Sequence, residues 1–357
     1  MGSMQPLAKP LIDLCEAGIA DKAFPGAAFV VGSSRESIVG FAGRHTYEAT
    51  ATEIGPESLF DMASITKVMA TTPAAMLLAD DEKLDLDRPV MSILPAFAGE
   101  DKDKVTPRNL LLHNSGLPAY ATLTKFANRD EARAAVLALP LRAKPGEKTE
   151  YSCMSMITLQ QVIEKIIGEP MDAFLKRRLW SPLGMGETLY NPPEDLKSRC
   201  VPTEEDKSLR KKLIQGEVHD PAAWACGGVS GNAGLFSTVR DVERYLRLML
   251  DRGSFGGKQI ICANTIETWT KRAGEQSTRG LGWDTKSARG SSAGTKFSMK
   301  SFGHTGFTGT SVWVDPENRI FAALLTNRVY PTAENSKITA FRPKFHDLAF
   351  EVLRSAK

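Results

Sequence analysis

Ser64-Ile65-Thr66-Lys67 sets a hydroxyl and an amine three residues apart at what reads as a helix start, so both side chains share one face. A free serine is a poor nucleophile, and a lysine whose ammonium is destabilised by burial and nearby positive charge can take its proton. The helix N-terminus would add a backbone N–H for a developing oxyanion. The same serine would equally suit a plain helix cap. By chance such a four-residue pattern arises about once or twice in a chain this long. A second copy, Ser208-Leu209-Arg210-Lys211, stands in the charged, flexible-looking run from Glu204 to Lys212, with no approaching strand and no buried helix, and reads as solvated surface.

Two further groups of residues could complete the chemistry. In Tyr151-Ser152-Cys153 a phenol beside a lysine ammonium could shuttle a proton between serine and leaving group, although a core tyrosine bonded to backbone fits the same residues. In Gly303-His304-Thr305-Gly306-Phe307-Thr308-Gly309 the glycines let backbone approach a ligand, and a strand edge could offer an N–H to the oxyanion; a turn entering a hairpin is the plainer reading. His219 and Asp220, in a polar stretch that could border a cleft, read as structural rather than catalytic. No G-x-S-x-G elbow occurs, and Gly228-x-x-Gly231-x-x-Gly234 is too loose for a nucleotide fingerprint.

Hydrophobic periodicity supplies the elements that must position these residues. Leu7 to Ala20 reads as a helix, Gly26 to Val31 and Ser37 to Ala42 as a hairpin, and Ser58 to Ala63 as a short extended approach to a buried helix from Ile65 to Asp80. Leu84 to Glu194 is almost wholly helical, with a Thr106-Pro107 cap and helices at Ser155 to Ile167 and Met171 to Trp180. A helix at Val239 to Leu250 precedes strands at Gly282 to Thr285, Ser311 to Val314 and Arg319 to Thr326, and Lys344 to Leu353 is a terminal helix. The order implies an α+β fold: an antiparallel sheet built from both chain ends and flanked by terminal helices, with a large helical insertion. We divide it into a sheet lobe (residues 1–83 and 200–357) and a helical lobe (84–199), with the cleft between them as the natural site.

Bulk composition excludes several classes. With 45 basic and 42 acidic residues the charge of +3 is too even to imply nucleic acid. No apolar run reaches the roughly 18 residues that span a bilayer. Met1-Gly2-Ser3-Met4 looks like an expression scar, and no export signal follows it, so a cytoplasmic location is expected. Five scattered cysteines (Cys15, Cys153, Cys200, Cys226 and Cys262) form no C-x-x-C pair, and the histidines show no metal-ligand spacing, so neither a metal nor another cofactor is expected. Nothing in the chain sets its oligomeric state.

Taken together the chain resembles the class C β-lactamase and penicillin-binding-protein-like serine hydrolases, a family that also holds D,D-peptidases, D-amino-acid peptidases, family VIII-type carboxylesterases and some acyltransferases. Ser64-x-x-Lys67, Tyr151-Ser152-Cys153 and His304-Thr305-Gly306 look like its three motifs in order. The stretches LLLHNSGLP (110–118), PLGM (182–185), GLFST (234–238) and GHTGFTGT (303–310) extend the likeness from about Leu7 onward. The resemblance implies a β-lactamase/transpeptidase-like fold and an acyl-enzyme on Ser64. Lys67 and Tyr151 would manage the proton, and the backbone N–H groups of Ser64 and Phe307 would form the oxyanion hole. His304, Thr305, Gly306, Phe307 and Cys153 would contact substrate.

Two departures bear on substrate. Cys153 stands where many penicillin-hydrolysing members have an asparagine that positions an amide, and a thiol bonds far more weakly. His304 replaces a lysine, giving a titratable partner for a carboxylate instead of a permanent charge. The leading expectation is an esterase of small acyl esters. A D,D-carboxypeptidase or weak β-lactamase is the nearest alternative, an acyltransferase would use the same acyl-enzyme, and a non-catalytic binding or assembly homologue is the alternative of another class.

Overall fold

The computed structural model describes residues 5–275 and 277–355; the presumed scar at residues 1–4 lies outside them. Its largest sheet has six antiparallel strands drawn from both parts of the chain: β1 (Gly26–Gly32), β2 (Ser37–Gly43), β3 (Asp284–Thr285), β4 (Phe302–Thr305), β5 (Ser311–Asp315) and β6 (Ile320–Thr326), in the order β3-β4-β5-β6-β1-β2. β1 pairs with β6 from Ala27 opposite Thr326 and with β2 from Gly26 opposite Gly43.

β1 and β6 are buried at every position because the sheet is covered on both faces. Alternate residues take opposite sides. Ala27, Phe29 and Val31, with Ala322 and Leu324, join the core formed with the helix Lys9–Ala20 and the C-terminal helix. Ala28 and Val30, with Phe321, Ala323 and Leu325, face the larger core that includes the helices of residues 65–80 and Cys153–Ile167. Phe29 meets Phe345 edge-on at 5.6 Å and Phe24 meets Phe341 at 4.9 Å, fixing the last helix against the sheet.

Local departures from the sequence reading have physical reasons. The last helix runs Ile338–Ser355, not from Lys344: Pro343 lies inside it, early enough to cost a single helical hydrogen bond while Phe341 and Phe345 pack. The helix after Ser64 is not uniform, since Lys67–Thr71 forms a wider π-type turn. Ser152 caps the following long helix by accepting the Ser155 N–H at 3.0 Å, which starts it at Cys153. The Glu204 to Lys212 run is a short hairpin, Glu205–Asp206 with Lys212–Leu213, whose turn is pinned by Asp206; exposed Ser208 gives its hydroxyl to that carboxylate at 3.0 Å. Phe302–Thr305 is itself a strand, so the His304 motif begins inside the sheet.

No helix among the described residues is long and apolar enough to cross a membrane. All five cysteines are free thiols.

His346 predicts acid sensitivity. It is fully buried beside Ser311 Oγ at 3.0 Å, and burial, with the Arg342 charge, lowers its pKa to about 3. Below about pH 6.5 the unfolded chain binds a proton that the folded chain refuses, so stability falls as pH drops towards 3, by about 1.4 kcal/mol per pH unit for each such group. Urea unfolding of the parent should lose stability between pH 7 and pH 5, and His346→Gln should flatten that slope by about one proton.

Candidate active site

The strand Phe60–Asp61 pairs with Leu235–Ser237, and the Met62 N–H donates to Leu235 O at 2.9 Å, which carries the chain up to the helix start. Ala63 then takes a left-handed conformation, φ 46°, unusual for a residue with a side chain, and turns Ser64 towards the cleft. Buried Asp61 holds this turn: one carboxylate oxygen accepts the Ala63 N–H at 2.8 Å, the other the His219 N–H at 2.7 Å. Burial raises the Asp61 pKa, with these two donors opposing it.

Lys67 is fully buried beneath Ser64. Its ammonium donates to Ser64 Oγ at 3.0 Å and to the Asn232 carbonyl at 2.7 Å, and it lies 3.7 Å from Cys153 Sγ. The Tyr151 ring centroid is 5.0 Å away. Burial penalises the charge, but the acidic groups around it, Cys153 and Tyr151 when ionised and Asp220, outweigh it and hold the Lys67 pKa above its ordinary value. This corrects the expectation of a lowered pKa: the near neighbours favour the ammonium. Burial pushes the Cys153 thiol up, so it is a neutral contact.

Tyr151 is sandwiched in a basic surround. Its ring lies 4.8 Å from His113, 5.8 Å from His304 and 5.1 Å from the Arg279 guanidinium. Burial first, then the charges of Arg279 and Lys67, hold both histidines well below their usual pKa. His304 Nδ1 donates to Thr305 O at 2.8 Å, which leaves Nε2 as a bare acceptor, and Nε2 is buried without a partner. Of the two states open to the titratable partner expected here, His304 is held in the neutral one. Arg279 is the cation on this side.

The turn after β4 is tied directly to the Ser64 turn. Thr308 Oγ1 donates to Asp61 O at 2.7 Å and Thr310 Oγ1 to Met62 O at 3.1 Å, while Arg342 donates to Gly306 O at 2.6 Å. A Cβ at Gly306 would meet Thr310 Oγ1 at 2.0 Å, so this close approach requires glycine. Among the described residues neither the Ser64 nor the Phe307 backbone N–H has an acceptor, leaving both open to an oxyanion. The Phe307 ring is 54 % exposed, stacked on His219 at 5.7 Å with Arg328 over it at 4.2 Å.

Ser64, Tyr151, Cys153, His304, Thr305 and Phe307 thus line one cleft of about 970 Å³, with Gly306, His219 and Asp220 also on its wall. Lys67 is not on the wall and lies behind Ser64 and Cys153. Sequence reasoning missed His113, Arg279, Asn232 and Asp61. His113 was visible only as part of a familiar stretch, Asn232 acts through its carbonyl, and Arg279 comes from a segment with no periodic signal.

A serine and a lysine ammonium at a helix start, roofed by a sheet-edge turn with open N–H groups, define a serine hydrolase of the penicillin-recognising kind. The chain belongs to the β-lactamase family, which it matches over residues 11–343. It is 31% identical over 310 residues to an Escherichia coli (strain K12) protein provisionally named a D-alanyl-D-alanine carboxypeptidase, covering 78% of this chain and 71% of that one. Its fold is similar to that of a penicillin-binding protein homologue from Caulobacter crescentus (TM-score 0.77, 19% identity, 99% of each chain). It is also similar to that of EstCE1, a hydrolase with promiscuous acyltransferase activity (TM-score 0.77, 21% identity, 96% of this chain and 98% of that one).

Asp61 gives a first test of the geometry. Asp61→Asn keeps one acceptor but cannot serve both N–H groups with full charge, so the Ser64 turn should loosen. Turnover of an ester should fall about 10- to 100-fold in kcat with little change in KM, as expected when a positioning contact fails.

Proposed function

We propose that this protein forms an acyl-enzyme on Ser64 and hydrolyses small acyl esters. The observation that carries the reading is the 3.0 Å contact between Ser64 Oγ and Lys67 Nζ on the floor of an accessible cleft. Ser64 Oγ attacks the ester carbonyl, and the Ser64 and Phe307 N–H groups receive the oxyanion. The serine proton passes through the Lys67–Tyr151 pair to the leaving alkoxide as the C–O bond breaks. Water then adds to the acyl-enzyme and releases the acid. Lys67 begins as an ammonium, so it stabilises the developing charge, and Tyr151 accepts the serine proton as it passes its own phenolic proton to the leaving alkoxide.

Ester selectivity is supported by Cys153. Its neutral thiol contacts Lys67 where an amide-orienting side chain would otherwise reach the substrate, so an amide gains little there. A D,D-carboxypeptidase is the second reading. Both the named Escherichia coli relative and Arg279 favour it, because a guanidinium beside His304 suits a terminal carboxylate.

Turnover of a p-nitrophenyl acyl ester, a chromogenic cephalosporin and a peptide ending in D-alanyl-D-alanine should be compared for the purified protein, with Ser64→Ala as the blank. Fast ester turnover with negligible release from the other two is the expected result. Faster D-alanine release than ester hydrolysis would replace the esterase reading with the second one.

A further inference from the structure

The cleft contains a carboxylate with no hydrogen bond to the reacting serine or to its lysine. Asp220 lines the wall with Cys153 and Tyr120. Its Oδ1 accepts the Ala223 N–H at 2.7 Å and the Asn232 side-chain amide at 3.0 Å. The Asn232 carbonyl in turn accepts from Lys67 Nζ at 2.7 Å, so Asp220 stands two hydrogen bonds from the ammonium that touches Ser64.

Asp220 Oδ2 is different. Among the described residues it has no hydrogen-bond partner, and no basic side chain lies within 4.0 Å of the carboxylate. Of the other carboxylates that line the cleft, Glu204 is paired with His219 at 2.8 Å and Asp284 with Arg279 at 3.9 Å. Asp220 is half-buried on the cleft wall, so its unpartnered oxygen is available to a cation that enters the cleft. Its backbone duty does not require charge. Asp220 caps the short helix Pro221–Ala225, and asparagine or serine caps a helix about as well.

We infer that Asp220 is the anchor for an amine cation on the substrate, so that the preferred esters carry an ammonium close to the reacting carbonyl. Aminoacyl esters are the simplest members of this class; an amine on the alcohol portion offers the same chemistry. The ammonium donates to Oδ2 while Oδ1 keeps its two existing donors, and no covalent step is added. The reading rests on the esterase function proposed above and names the substrate class for that site.

The test uses two matched pairs followed by acid release: alanine methyl ester of each hand against methyl propionate, and 2-aminoethyl propionate against propyl propionate. In one pair the amine-bearing ester should have at least a tenfold higher kcat/KM than its amine-free partner. Asp220→Asn, which retains the cap, should reduce that ratio to near one, chiefly through KM. The advantage should also fade as pH rises past the pKa of the substrate's own amine, near 8 for an α-amino group. Asp220→Ser provides a second uncharged cap should the first variant lose its thermal transition. A ratio that survives both substitutions, or no advantage for either amine on an enzyme that turns over the plain esters, overturns the inference. Absence of turnover with all five esters would overturn the esterase reading itself, and this inference with it.

Discussion

Ser64→Ala should reduce ester turnover by at least roughly 10,000-fold and abolish covalent labelling by a fluorophosphonate, because Ser64 is the cleft hydroxyl that the Lys67 ammonium touches. The cavity left by one oxygen is small, and the turn that presents residue 64 is held by Asp61 and the Met62 N–H, not by the serine hydroxyl. Thermal unfolding of the variant should therefore match the parent closely. Labelling that persists, or turnover within tenfold of the parent, would move the nucleophile elsewhere. The second serine–lysine pattern would then be the first place to look, although Asp206 already holds the Ser208 hydroxyl.

Lys67→Met should cost about 1,000-fold in kcat. Methionine fills nearly the same buried volume but offers no donor to Ser64 Oγ or to the Asn232 carbonyl, and removes the positive charge next to Tyr151. Because Ser64 and Lys67 act as a unit, the double variant should be no slower than Ser64→Ala alone. A rate for Lys67→Met within threefold of the parent would mean that Tyr151 moves the proton unaided. A loss of folding alone cannot mimic the expected result if the variant retains its near-ultraviolet circular dichroism.

The state of the lysine changes how the pair is understood. A lysine read from sequence as a lowered-pKa base is, in the folded protein, a buried ammonium that donates to Ser64 Oγ and the Asn232 carbonyl, its pKa above its ordinary value despite burial. The proton relay then depends on Lys67 and Tyr151 together, and substitution of either should alter the pH profile of both limbs instead of deleting one. Neutral His304 makes the same point. Its ring is the titratable partner read from the sequence, and burial with the adjoining positive charges of Arg279 and Lys67 leaves it uncharged.

Much of the architecture was legible because it depends on local pattern. The apolar run of β6 read as a buried strand, and the hairpin β1–β2 follows from two β-like runs separated by a polar turn. The spacing of Ser64 and Lys67 placed both on one side of the chain whatever the exact helix type, and the cap at Thr106 appeared with its partner Asn109. The last helix was cut short at Pro343 because propensity sees the missing N–H but not the packing of Phe341 and Phe345.

Residue types and spacing by themselves determined the α+β order, the family likeness and the set of segments that carry Ser64, Lys67, Tyr151 and His304. Only the tertiary structure decided that Asp61 would brace the Ser64 turn, that Arg279 would be the cation beside Tyr151, and that Asp220 would present a free carboxylate oxygen to the cleft. The reason is physical: hydrogen-bond partners, desolvation and Coulomb interactions depend on which distant segments meet and how deeply they are buried, and neither is encoded in the residues adjacent along the chain.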